Sequence, residues 1–147
     1  MIWNLPSKAI VMGLNMLSEE IRILLVDDDE DEYIIMRDLI RDMSSWRFNI
    51  DWASDYKTAV SLMCSNQYDL YLVDYLLGIE NGLLLANDAI EKGCVNPIIL
   101  VTGFGSPDLT TQALQVGITG YINKEELNKP RLVETLIDIL KSANIKQ

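Results

Sequence analysis

The sequence predicts one α/β domain built on a parallel sheet, and three observations carry that prediction. Short apolar runs rich in branched residues alternate with helical patterns, strand then helix, five times over. Four of these runs are apolar almost throughout, which implies burial on both faces and marks parallel strands covered by helices. Finally, an acidic run, a lone aspartate, a threonine and a lysine stand at or just past the ends of these runs. A parallel sheet would crowd them at its carboxyl edge, where such folds bind ligands.

The elements follow in order. Ile21-Arg22-Ile23-Leu24-Leu25-Val26 is the first strand and leads into Asp27-Asp28-Asp29, after which a helix is expected from Glu30 to Met43. Trp46-Arg47-Phe48-Asn49-Ile50-Asp51-Trp52 alternates large apolar with polar residues, the period of a half-exposed strand at a sheet edge. A helix from Asp55 to Ser65 precedes the third strand, Leu70-Tyr71-Leu72-Val73, which ends at Asp74. The next helix runs from Asn81 to Lys92 and is closed by Gly93, and the strand Ile98-Ile99-Leu100-Val101 then leads to Thr102. Ser106-Pro107-Asp108 supplies an N-cap, a first-turn proline and a first-turn acid, with Gly117 placed as a C-cap. Ile118 to Ile122 is the last strand, just before Lys124. From Pro130 to Ser142, Leu132, Leu136 and Ile139 with Val133, Ile137 and Leu140 form a broad apolar helical stripe. The expected organisation is an extension over 1–20, the domain over 21–143 and a tail over 144–147.

Composition narrows the function. A length of 147 residues with 49% hydrophobic content suits one domain with a sizeable core. The net charge of −10, from 12 basic and 22 acidic residues, argues against direct binding to nucleic acid or anionic membranes. Cys64 and Cys94 lack metal-ligand spacing, and with no histidine in the chain a zinc site is disfavoured. Reduced thiols and a cytoplasmic location are expected. In the extension, Ala9 to Leu17 is too short and too interrupted to span a bilayer. Met16-Leu17-Ser18-Glu19-Glu20 leads straight into the first strand and offers an alternative start.

The converging edge has its own chemistry. Adjacent carboxylates after the first strand and a third after the central strand cannot all stay ionised side by side without a cation among them. Oxygen-only ligands favour magnesium. Lys124 and the Thr102 hydroxyl would then hold an anion, most simply a phosphoryl group on an aspartate, with metal and lysine spreading the charge in transfer.

Leu24-Leu25-Val26-Asp27-Asp28-Asp29, Tyr68-Asp69-Leu70-Tyr71-Leu72-Val73-Asp74, Asn81-Gly82, Val101-Thr102-Gly103 and Gly120-Tyr121-Ile122-Asn123-Lys124 occur in that order. Over about Glu20 to Ser142 the chain resembles the receiver domain of bacterial two-component response regulators, of the type found at the front of multidomain signalling proteins. The resemblance implies a flavodoxin-like (βα)5 doubly wound sheet of order 2-1-3-4-5. It makes Asp74 the phosphoacceptor, Asp27 and Asp28 the magnesium acids together with Asp74, and the main-chain carbonyl of Leu76 a further ligand. Thr102 and Lys124 contact the phosphoryl group and Tyr121 is the switch aromatic coupled to Thr102, while Asp29 matches no essential role. The implied partner is a histidine kinase or histidine phosphotransfer protein, and output or homodimerisation would use the fourth helix, fifth strand and fifth helix. Leu76 and Phe104, two positions after Asp74 and Thr102, would flank the path of hydrolytic water and set the lifetime of the phosphoform.

Two positions depart from the family pattern. Gly78 and Glu125 stand where many receivers have proline, so the peptide bond after Lys124 is expected to be trans. Other readings compete. A pseudo-receiver, folded but never phosphorylated, is opposed only by the acid set. A haloacid-dehalogenase-like phosphohydrolase would use Asp27 as nucleophile and Asp29 as acid/base, yet that class needs acidic metal ligands beyond the lysine and usually a cap, for which the tail here is too short. A flavodoxin would need its phosphate loop where three carboxylates stand. An EF-hand over Asp27, Asp29 and Asp31 has Glu32 in place of its glycine and Asp38 in place of its glutamate.

Overall fold

The computed structural model describes residues 20–42, 47–103 and 105–145. The expectations for Ala9 to Leu17, for the Met16 start and for Phe104 fall outside the described residues. Five strands form the main sheet: β1 (Ile21–Val26), β2 (Phe48–Ala53), β3 (Leu70–Asp74), β4 (Ile98–Thr102) and β5 (Gly120–Asn123). All pair in parallel, in the order β2-β1-β3-β4-β5, which is the flavodoxin-like order expected. In register, Val26 lies beside Val73 and Asp74 beside Val101, with Thr102 beside Asn123, so the strand ends reach one common edge. Phe48 to Trp52 of the alternating run lie in β2, at the sheet edge and, among the described strands, paired to β1 alone.

Five helices cover the sheet: α1 (Glu30–Arg41), α2 (Tyr56–Cys64), α3 (Gly82–Glu91), α4 (Pro107–Val116) and α5 (Lys129–Ile145). Ile23, Leu25, Leu70, Leu72 and Ile99 pack with Met36 and Ile40 of α1 and Leu132, Leu136 and Leu140 of α5. Leu24, Tyr71, Val73 and Leu100, in the alternate phase, pack with Ala59 and Met63 of α2, Leu85 and Ala89 of α3, and Leu109 and Ala113 of α4. Near-total burial on both faces is why β1, β3 and β4 read as apolar almost throughout, Arg22 of β1 being the half-buried exception.

Local chemistry sets the ends. Side-chain oxygens of Asp55, Asn81 and Ser106 accept the N–H of Thr58, Leu84 and Leu109, capping α2, α3 and α4. Pro107 and Gly117 begin and close α4 as expected. α1 ends at Arg41, short of Met43, because Asp42 caps it with its N–H on the carbonyls of Asp38 and Ile40. α5 begins one residue before Pro130, and the Asn128 side chain accepts the Arg131 N–H. It runs on to Ile145, two residues into the expected tail, where no glycine or proline stops it. A short ladder pairing Leu76–Leu77 with Glu80–Asn81 was not expected, two residues per side being too few for a periodic signal.

Candidate functional site

The site is built where β1, β3, β4 and β5 end. Asp27 and Asp74 are 7% and 6% exposed, and Thr102 is 1% exposed. Side chains alternate along a strand, so Asp27 and Asp74 fall on the α1 and α5 side, whereas Thr102 and Tyr121 fall on the α4 side. Lys124, just past β5, reaches back so that its Nζ lies 3.0 Å from Asp74 Oδ1 and 2.6 Å from Glu32 Oε2. One carboxylate oxygen from each of Asp27, Glu32 and Asp74 lies within 4.8 Å of the other two.

The three aspartates after β1 have separate duties. Asp27 is gripped by its neighbours: its Oδ1 accepts the Asp29 N–H at 2.9 Å and its carbonyl accepts the Trp52 indole N–H at 2.7 Å. Asp29 is the N-cap of α1, its carboxylate accepting the N–H groups of Asp31 and Glu32. That duty leaves it poorly placed as the acid/base of a phosphohydrolase. Asp28 is exposed and stands outside the close group of acids, on the side of the Gly78 turn, where a Cβ on Gly78 would lie 4.0 Å from Asp28 Oδ2. Its charge still reaches Asp74 and helps to raise that group's pKa.

Burial dominates the electrostatics. It pushes the Asp27 carboxyl from 3.8 up to about 8; the Asp29 N–H opposes this, and the nearby Asp74 and Glu32 carboxylates add to it. Burial also raises Asp74, and the hydrogen bond and charge of Lys124 hold it back only in part. Burial works against the Lys124 ammonium, yet its bonds to Glu32 and Asp74 outweigh burial and leave it above its ordinary value. Two buried acids that resist ionisation, with a third carboxylate beside them, form a site that favours a cation.

The remaining expected residues sit around this centre. Tyr121 is half-buried, and its hydroxyl is enclosed without a hydrogen-bond partner among the described residues, close to where a Cβ on Gly105 would be. Leu76 lies in the short ladder after Asp74 with its side chain 55% exposed. Gly82 lets α3 begin against the end of β3, since a Cβ there would come 2.5 Å from the Asp74 carbonyl oxygen. The bond after Lys124 is trans, and Lys124–Glu126 forms a 3-10 turn. Sequence reasoning missed Glu32. The usable signal was Asp29 as an N-cap with a glutamate three residues on, a spacing that projects Glu32 from the first turn of α1.

The family model described as the response regulator receiver domain matches residues 23–137. The chain belongs to the response regulator receiver family. It is 30% identical over 121 residues to the transcriptional regulatory protein ZraR of Salmonella typhimurium, covering 82% of this chain and 26% of that protein. The methanogenesis regulatory protein FilR1 of Methanothrix harundinacea is 33% identical over 117 residues, covering 76% of this chain and 26% of that protein. The receiver thus spans about a quarter of the length of these curated relatives. Among solved structures, a CheY-like receiver domain protein of Methanospirillum hungatei superposes with a TM-score of 0.75 at 23% identity, covering 88% of this chain and all of the other. A two-component response regulator of Clostridium difficile gives 0.74 at 25% identity, covering 84% and 98%. Receivers are signalling modules of two-component systems that work with histidine kinases. No described helix is long and apolar enough to cross a membrane.

Proposed function

We propose that this receiver accepts a phosphoryl group on Asp74 with magnesium and signals through a change of surface. The observation that carries the reading is the position of Lys124, 3.0 Å from a buried aspartate that shares its pocket with two further carboxylates. An all-oxygen acidic set suits a hard divalent cation. Asp27 and Asp74 would hold it, with Asp28 at the mouth and the Leu76 carbonyl as further ligands. When bound, magnesium offsets the carboxylate charge and the charge of the transferring group.

The chain's own groups do the rest. A carboxylate oxygen of Asp74 attacks phosphorus; the new O–P bond forms as the N–P bond of a phosphohistidine breaks, and the departing imidazole takes a proton from solvent. Lys124 and the Thr102 hydroxyl bind the non-bridging oxygens. With no histidine of its own, the chain draws the group from a histidine kinase, a histidine phosphotransfer protein or a small phosphodonor. The outgoing surface is α4, β5 and α5, where Ser106, Thr110, Tyr121, Glu126 and Arg131 line a groove of about 500 Å³. The same face would serve a homodimer.

The test is incubation with a small phosphodonor, with and without magnesium. One phosphoryl group is expected on the wild type with magnesium and none on Asp74→Asn. Modification that survives Asp74→Asn and vanishes in Asp27→Asn would place the acceptor elsewhere. The phosphoform should be long-lived, because neither Leu76 nor Phe104 can orient a water molecule, and Leu76→Asn with Phe104→Glu should speed its decay about tenfold or more.

A further inference from the structure

Glu32 holds the lysine that the phosphoryl group needs. The contact is the shorter of the two that Lys124 makes, 2.6 Å against 3.0 Å to Asp74, and it ties the first turn of α1 to the end of β5 across 92 residues of sequence. The local structure frees Glu32 for this. In a capping box the acid at the third helical position returns to the N–H of the N-cap residue. Here that N–H, of Asp29, is already bonded to Asp27 Oδ1, so the Glu32 carboxylate is available to Lys124. Glu32 and Lys124 line, with Asp27 and Asp74, a hollow of about 190 Å³ whose other walls include Leu25, Met36, Leu72, Val101 and Leu127. Apolar walls lower the local dielectric and strengthen the attraction.

We propose that Glu32 is a built-in counter-ion which competes with the phosphoryl group for Lys124 and at the same time favours the metal. The proposal deepens the phosphoacceptor reading and rests on it. Two consequences have opposite signs. Glu32 is one of three side chains that each bring one carboxylate oxygen within 4.8 Å of the other two, so its charge draws a cation into the site. It also occupies the ammonium that an incoming dianion must bind, and it repels that dianion. Glu32 is therefore a positioning residue, acting through Lys124 and setting the balance between the unmodified and modified states.

The opposite signs make the test specific. The full chain, as wild type, Glu32→Gln and Glu32→Ala, is titrated first with magnesium and then, at saturating magnesium, with beryllofluoride as phosphoryl mimic, both by calorimetry. Circular dichroism checks folding, and the 41% exposure of the Glu32 side chain makes both variants tolerable. Magnesium affinity is expected to fall and beryllofluoride affinity to rise, each by about threefold or more, the scale of a half-exposed ion pair. Loss of both affinities would make Glu32 a structural residue and overturn the proposal, as would an unchanged beryllofluoride affinity. A wild type that binds no beryllofluoride at any magnesium concentration would overturn the phosphoacceptor reading and this proposal together. Wild-type binding with no gain in the variants would overturn this proposal alone.

Discussion

The two sides of Asp74 are built from different materials. Toward α1 and α5 stand Asp27, Glu32 and Lys124, charged groups tied by contacts of 2.6 and 3.0 Å. Toward α4 stand Thr102 and Tyr121, and there the phenol hydroxyl is enclosed with no partner among the described residues while its ring joins the apolar cluster. The charged side answers to ions and protons. The apolar side answers to space.

The charged side should show the largest effect, and pH is the way to break it. Asp27 titrates near 8 in the fold against 3.8 for the ordinary carboxyl, and Asp74 is shifted in the same direction. Between those limits the folded state binds more protons than the unfolded chain, so its stability falls as pH rises. Urea unfolding in chelator should show the site's contribution intact below about pH 4 and declining by several kcal/mol toward pH 8. Saturating magnesium should flatten the profile, and magnesium affinity should climb over the same range. A flat profile in chelator would mean that the acids are not crowded.

Next in size is removal of the one cation in the group. Lys124→Met leaves Asp74 and Glu32 without their counter-charge and should cost about 3 kcal/mol in metal-free protein, with part regained in magnesium. An equal loss in both conditions would mean that Lys124 acts mainly by packing.

Smallest is the apolar side. Tyr121→Phe removes a hydroxyl with no partner and should leave stability unchanged or raise it by about 1 kcal/mol. Gly105→Ala, whose new methyl would lie 2.5 Å from that hydroxyl, should drive the ring outward, visible as altered near-ultraviolet dichroism. If both variants behave like the wild type, the ring is not held by the walls around it.

These contrasts explain what could be read from the sequence. β1, β3 and β4 were legible because burial on both faces leaves an apolar run, and Asp74, Thr102 and Lys124 because each sits at or just past a strand end. The edge position of β2 was legible from its alternation. Glu32 was not, since its partner is 92 residues away: the capping spacing from Asp29 marks its place in the first turn of α1 but not the lysine it meets. Nor was the division of labour among Asp27, Asp28 and Asp29, which depends on where the strand stops and the helix cap starts. The short ladder after Asp74 left no periodic trace.

The edge strand carries a signal of its own. Trp52 gives its indole N–H to the Asp27 carbonyl and lies flat on Tyr33, ring centroids 4.9 Å apart and planes 6° off parallel. Tyr33 is the residue after Glu32. One aromatic plate thus touches both the strand end that bears the buried acid and the helix turn that bears the counter-ion. The emission of Trp52 is therefore expected to shift when the site is filled, which a titration with magnesium would check once Trp3 and Trp46 are replaced by phenylalanine.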